Sequence, residues 1–297
     1  MLAEILWKSL QKIYIDTIFV IYNWYVPIIE VRIDMYLIVS DIDETLLAHT
    51  HDNSVEVDNL ATFIQSNNIA LTFATGRSLN QMKDIIKQFE INYPLILNNG
   101  ATIYYQGQFI FQASLSYHSI VDDLNALHQA GMAVMFSDDN QEYVDMQMIP
   151  DQGDPPKSTH RQPADFEQYI ALRKDLRRIV FRDTCAENSK ILDEYCNLLS
   201  NAPIEVIRMS SNEIELLPKG INKFSGIQEL RKLFPDIQRV MAIGNASNDI
   251  EMIQGSDVGV LVSNGHRIIE PFANYVTKAS YASGIKEAIE KFVLVKK

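Results

Sequence analysis

An α/β fold built on a parallel sheet and interrupted by an inserted α+β domain is what three observations predict. Short apolar runs alternate with amphipathic segments in two separate blocks, about Met35 to Ile103 and Lys219 to Phe292. The stretch between them changes to half-buried alternation, the mark of antiparallel strands. The strand-like runs of both blocks end in polar clusters, where ligands gather in open α/β sheets.

In the first block the expected strands are Tyr36 to Ser40, Ala70 to Ala74 and Leu95 to Leu97, with helices over Val57 to Gln65 and Leu79 to Phe89. The second block is expected to hold a helix from Lys223 to Leu233, strands at Val240 to Ile243 and Val258 to Val262, and a last helix near Ile285 to Phe292. Between them, Ala133 to Phe136, Glu142 to Met146, Arg178 to Phe181 and Glu205 to Leu217 read as half-buried strands, interleaved with helices at about 119–130 and 187–200. A polar loop spans Pro150 to Pro163. The expected division is therefore 35–103 with 219–297 as a discontinuous core, and 104–218 as the insertion.

Residues 1–34 differ in character, being rich in aromatic and β-branched side chains. Asp16, Asn23 and Pro27 break their apolar stretch. A membrane span needs about 20 mostly apolar residues, so no crossing is expected there, and no basic start with a small-residue cleavage site marks a signal peptide. The α/β pattern begins again at Met35, which is the expected natural start, with 1–34 an atypical extension.

Composition narrows the partners. With 297 residues, 26 Lys and Arg against 38 Asp and Glu, and a net charge of −12, the long-range field repels phosphate backbones, so nucleic acid is excluded as a partner. Cys185 and Cys196 are too few for a disulfide framework and are not spaced as metal-ligand pairs, which fits two reduced thiols and a cytoplasmic location.

The chemistry gathers at four strand ends. After the first strand stands DIDETLL, where Asp41 and Asp43, two apart, point the same way in an extended segment. Such a pair can divide labour between nucleophile and proton carrier, although the same pattern also suits an acidic turn or helix cap. The second strand ends in Thr75, Gly76 and Arg77 before a helix, offering donors and a positive dipole end to an anion, or simply a capped turn. Lys219 and Lys223 flank a glycine turn at the start of the next block, and either supplies a point charge for a phosphate. The last cluster, Gly244-Asn245-Ala246-Ser247-Asn248-Asp249, carries the amide and carboxylate oxygens that magnesium takes. Together they describe phosphoryl transfer.

These residues resemble the haloacid dehalogenase superfamily of phosphatases, specifically the Cof-type group with a large α/β cap. The resemblance runs from Met35 to about Phe292 through DIDETLL, FATGRS, LILNNGATIY, ELLPKGINKFSGI, AIGNASNDIEMI and NYVTKASYASGIKEAIEKF. It implies a Rossmann-like core with an inserted cap, and magnesium-dependent hydrolysis of a phosphate monoester of a small, sugar phosphate-like metabolite through an aspartyl-phosphate. By motif position Asp41 would be the nucleophile and Asp43 the general acid/base, its main-chain carbonyl also on the metal. Thr75 and Gly76 would bind the phosphoryl group together with Lys223, which matches the motif lysine better than Lys219. Asn248 would contact the phosphate side, and Asn245 and Asp249 would complete the Mg2+ site with Asp41 and Asp43.

Two departures stand out. Glu44 occupies a position where the family usually has glycine, and Asn245 stands where its metal motif has aspartate, removing one negative charge from the site. The second leaves an alternative, a catalytically weakened domain that binds a phosphorylated metabolite as a sensor. His49 and His51 are expected in a polar loop, and His160, Arg161 and Arg208 as solvated cap residues.

Overall fold

The computed structural model describes residues 35–145, 161–172, 174–184 and 189–294. The extension 1–34, Cys185, His160 and most of the Pro150 to Pro163 loop lie outside the described residues. The chain opens with β1 (Met35–Ser40), α1 (Ser54–Ser66), β2 (Leu71–Phe73), α2 (Lys83–Phe89), β3 (Leu95–Leu97), β4 (Thr102–Tyr105) and β5 (Gln108–Gln112). There follow α3 (Val121–Gln129), β6 (Ala133–Ser137), β7 (Glu142–Asp145), β8 (Arg161–Ala164), α4 (Phe166–Ala171), β9 (Arg178–Arg182), α5 (Ser189–Leu199), β10 (Ile204–Ser210) and β11 (Glu213–Pro218). The closing elements are α6 (Lys223–Leu233), β12 (Ile237–Gly244), α7 (Ile250–Gly255), β13 (Val258–Leu261), β14 (Tyr275–Val276) and α8 (Tyr281–Phe292).

A five-stranded parallel sheet, in the order β14-β13-β12-β1-β2, draws on both ends of the described chain. β1, an interior strand between β12 and β2, is apolar on both faces, as a doubly covered parallel strand must be. Ile38 packs in one cluster with Leu60 of α1 and Ile285 of α8. Leu37 and Val39, on the opposite face, pack with Ile227 and Leu230 of α6. Because β1, β2 and β12 run parallel, the residues after Ser40, Phe73 and Gly244 emerge at one edge of the sheet.

The second sheet has six strands in the order β10-β11-β9-β6-β7-β8 around a separate core that includes Leu124, Phe136, Phe166, Phe181 and Leu216. Its pairings are antiparallel except β7 with β8. The expected single strand over Glu205 to Leu217 is two strands, β10 and β11, folded back at Ser211 and Asn212. Residues 161–163, expected in the polar loop, belong to β8 instead, where Pro163 sits on the outermost strand. The expected cut between 103 and 104 falls within β4, which joins β3 and β5 in a three-stranded sheet of its own.

The six-stranded sheet is seated by polar contacts. Asp139 accepts from Arg177 Nε and Nη2 at 2.7 and 2.8 Å, from Thr102 Oγ1 at 2.7 Å and from Gln112 Nε2 at 2.6 Å. Burial alone would raise the Asp139 carboxyl, but Arg177 and Thr102 hold it below the usual carboxylate range. Ser137 Oγ donates to Asn98 Oδ1 at 2.8 Å beside it. No helix among the described residues is long and apolar enough to cross a membrane.

Candidate active site

Asp41 emerges from the end of β1 only 5% exposed, beneath a cleft of about 1160 Å³ that also takes residues from the six-stranded sheet. Lys223, the first residue of α6, reaches it from below. The helix starts there because Asn222 caps it, its Oδ1 accepting from Ser225 N at 2.8 Å while Ser225 Oγ accepts from Asn222 N at 2.9 Å. Lys223 Nζ then donates to Asp41 Oδ1 and Asp249 Oδ1, both at 2.6 Å, in a fully buried triad. Burial lifts the Asp41 carboxyl to about 7, overcoming the pull of Lys223, with Asp249 and Asp43 adding to the rise. Burial by itself would lower the lysine, but Asp249 and Asp41 hold it above its ordinary value.

Asp249 is fixed at both oxygens. Its Oδ2 accepts from the backbone N–H of Asn245 at 2.8 Å and of Ala246 at 3.0 Å, folding the loop after β12 around the carboxylate. Gly244 is required for that fold, since a Cβ there would lie 2.5 Å from Asp249 Cβ and Cγ. Both Asp249 oxygens are thus engaged, Oδ1 by Lys223 and Oδ2 by the loop N–H groups. Asn248 lies at the rim of the cleft.

The Asn245 amide lies 2.8 Å from Thr45 Oγ1 and 3.2 Å from both Asp41 Oδ2 and the Asp43 main-chain oxygen. With its nitrogen on that side it donates to all three; with its oxygen there, carboxylate, carbonyl and amide oxygens converge. The second orientation is a hard-cation donor set, so the residues fit Mg2+ with a single carboxylate. Among the described residues no group of three or more His, Cys, Asp and Glu could hold a metal ion, which underlines how little charge this cage carries. Glu251 does not restore it, being exposed beside a separate cavity of about 200 Å³.

The carboxylate of Asp43 turns away from that cage. Arg77 donates to it through Nε at 3.0 Å and Nη2 at 2.6 Å, and His49 Nε2 lies 3.0 Å from Oδ1. Burial would raise Asp43, but His49 and Arg77 hold it well below the usual carboxylate range. In return the hydrogen bond to Asp43 raises His49. The expectation that His49 merely decorates a polar loop is therefore corrected: the turn of that loop folds it back onto Asp43. His51 stays on the surface against the Tyr281 ring, at 5.3 Å between centroids. Thr75 and Gly76 follow β2, Gly76 lining the cleft and Thr75 fully buried behind it.

Residues 38–289 match the family of haloacid dehalogenase-like hydrolases. The chain belongs to this family. It is 25% identical over 266 residues to the 5-amino-6-(5-phospho-D-ribitylamino)uracil phosphatase of Bacillus subtilis, covering 88% of this chain and 97% of that one. It is 33% identical over 136 residues to a phosphoglycolate phosphatase of Methanosarcina acetivorans, a match spanning 45% of this chain and 54% of that protein, about half its length. Its fold is similar to that of a haloacid dehalogenase-like hydrolase from Bacteroides thetaiotaomicron, with a TM-score of 0.71 at 20% identity, covering 86% and 99% of the two chains.

The two departures from the haloacid dehalogenase-like motifs acquire a physical meaning in this frame. Glu44 sits at φ +60°, the left-handed region that favours glycine, and its Oε1 accepts from His49 N at 2.9 Å. Glu44→Gly trades strain of about 1–2 kcal/mol for that hydrogen bond and a more flexible unfolded chain, so its net effect on stability is expected to stay below about 1 kcal/mol. Thermal denaturation checks this; a loss above about 2 kcal/mol would make the Glu44 carboxylate a structural anchor. Lys219, by contrast, is exposed and lies 3.5 Å from Glu205. Arg208, expected to be solvated, faces Asp193 at 3.0 Å, whereas Arg161 lines the cleft beside Glu142 at 2.5 Å.

Proposed function

We propose that the protein is a magnesium-dependent phosphatase of small phosphorylated metabolites, sugar phosphate-like in kind, that works through an aspartyl-phosphate on Asp41. The observation that carries this reading is the triad: a buried lysine 2.6 Å from Asp41 and from Asp249, with Asp41 lining a cleft that Asp43 and Gly76 also line. Family membership and the two phosphatase relatives support the same reading.

In the first half-reaction Asp41 attacks phosphorus, the bond from phosphorus to the ester oxygen breaks, and Asp43 gives that oxygen a proton. In the second, water attacks phosphorus while Asp43 takes its proton, and the bond from phosphorus to the Asp41 oxygen breaks. Asp43 rests ionised, which suits the second half. For the first, the incoming phosphoryl charge competes for Arg77 and so restores the affinity of Asp43 for a proton. Lys223 and the donors of Thr75 and Gly76 bind the phosphoryl oxygens. Asp41, the Asp43 carbonyl and Asn245 would hold Mg2+, which when bound would supply positive charge against the oxygens that gain negative charge.

The insertion, 104–218, is proposed as the cap. Glu142 and Arg161 of its six-stranded sheet line the cleft, so substrate choice rests with them while water is excluded beneath.

The deciding experiment is phosphate release from an aryl phosphate and a panel of sugar phosphates with magnesium and with chelator. Release that needs magnesium supports the reading; release unaffected by chelator removes the metal from it. A companion variant, Asn245→Asp, is expected to bind magnesium about 10-fold more tightly by titration calorimetry, because a carboxylate replaces the amide. Without metal the same variant is expected to melt lower than wild type, since it sets a third carboxylate beside Asp41 and loses the amide donor. Equal magnesium affinity in the two proteins would place Asn245 outside the metal site.

A further inference from the structure

The guanidinium of Arg178, on β9 of the six-stranded sheet, reaches down to the turn that follows β2. Its Nη1 donates to the Gly76 main-chain oxygen at 3.3 Å, and a Cβ on Gly76 would lie only 3.5 Å from Arg178 Cζ. Arg178 is held there by carboxylates. Nε donates to Glu215 Oε1 on β11, where Glu215 is fully buried, and Nη1 lies 3.7 Å from Glu142 Oε2. The same Glu215 oxygen accepts from Asn99 Nδ2 at 2.7 Å, and the Asn99 N–H donates to the Thr75 main-chain oxygen at 2.9 Å.

Both carbonyls of the turn are therefore fixed by neighbouring side-chain or backbone donors, Thr75 by Asn99 and Gly76 by Arg178. In a trans peptide the N–H points opposite to the carbonyl, so fixing each oxygen also aims the next N–H. The Gly76 N–H is turned away from Asn99, and the Arg77 N–H falls on Thr75 Oγ1 at 3.2 Å. Once the Thr75 oxygen has accepted that bond, its hydroxyl proton is left to donate elsewhere. Charge strengthens the device, because a guanidinium-to-carbonyl bond shielded from water is stronger than a neutral one.

We propose that Arg178 is a positioning residue for phosphoryl binding: from the six-stranded sheet it pins the Gly76 carbonyl, orients the Thr75 and Gly76 donors, and so makes phosphate affinity depend on the seated cap. The inference rests on the phosphatase reading and deepens it. It assigns to the cap a part in holding the reacting group itself. Arg178 does this without touching the substrate, and Glu215 and Asn99 keep its guanidinium in register.

The test is the affinity for orthophosphate, by titration calorimetry in magnesium, for wild type, Arg178→Met, Arg178→Lys and Glu215→Gln, with kcat and KM for an aryl phosphate measured alongside. Losing a charge-assisted hydrogen bond predicts phosphate binding about 10-fold weaker in Arg178→Met, with KM rising by more than kcat falls. Arg178→Lys, which keeps the charge and one donor, is expected to recover part of the affinity, and Glu215→Gln to weaken it by about 3-fold through a looser Arg178. A folded Arg178→Met protein with phosphate affinity within about 2-fold of wild type overturns the proposal, as does a fall in kcat with KM unmoved. If the methionine variant does not fold, the same criteria apply to the lysine and glutamine variants. A wild type that binds phosphate but hydrolyses no ester overturns the phosphatase reading while the affinities still decide the role of Arg178. One that neither binds nor hydrolyses overturns both.

Discussion

Asp41→Asn is expected to lose at least about a thousandfold in kcat while folding no less stably than wild type. An amide oxygen of nearly the same shape still accepts from Lys223, so the packing around a residue that is 5% exposed is kept. What disappears is the proposed nucleophile, since a neutral amide cannot form the acyl-phosphate. Stability is held because burial raises the Asp41 carboxyl to about 7, which means that its charge is a cost to the folded state near neutral pH. Lys223 keeps Asp249 as its partner at 2.6 Å. Loss of turnover with an undiminished melting temperature therefore isolates the chemistry from the fold. Asp41→Ala, which cannot revert by deamidation, is the control for residual activity. More than about a tenth of wild-type kcat in both variants would sink the assignment of Asp41 as nucleophile.

The parts of this site that were legible in the sequence are those set by one strand and the loop after it. β1 is a short apolar run that stops at a polar pair, and the periodicity change after Ile103 exposes the insertion in outline. Because parallel strands bring their ends to one edge, Asp41, Thr75 and Asp249 could be gathered without coordinates, but the expectation that Lys223 also follows a parallel strand is corrected, since β11 before it lies in the antiparallel six-stranded sheet. Contacts set by side-chain reach were not legible. Arg77 meets Asp43 across 34 positions and His49 meets it across 6, and neither spacing is a periodicity of helix or strand. The β10–β11 turn was hidden because Glu205 to Leu217 continues its alternation through Ser211 and Asn212 without a glycine or proline. Arg178 and Glu215 are neighbours only through the register of β9 with β11, where Val180 stands opposite Glu215. The left-handed Glu44 had a signal, the glycine usual at that place, but its reason needed the backbone angle.

Lys223→Met is expected to be the most destabilising single change at the site, costing about 3–5 kcal/mol in metal-free protein near neutral pH, as removing one partner of a buried ion pair does. Lys223 is 1% exposed and its two carboxylate partners are 8% and 0% exposed at their side chains, so water cannot replace it. Methionine matches its length and fills the space between α6 and the sheet, so the loss reports charge and not a cavity. Two buried carboxylates then face each other with nothing between them. The pH dependence has a definite sign. A carboxyl whose folded pKa lies above its unfolded value makes the folded state bind the extra proton, so stability falls as pH rises from the unfolded value to the folded one. For Asp41 in the wild type that window runs from the ordinary 3.8 to about 7, and without Lys223 its upper end moves higher. Urea denaturation in chelator at pH 5.5 and pH 8 should accordingly show the variant closer to wild type in acid and furthest from it in base. A deficit that is the same at both pH values would mean that Lys223 stabilises this fold by packing alone, and that the triad does not carry the electrostatics on which the aspartyl-phosphate mechanism depends.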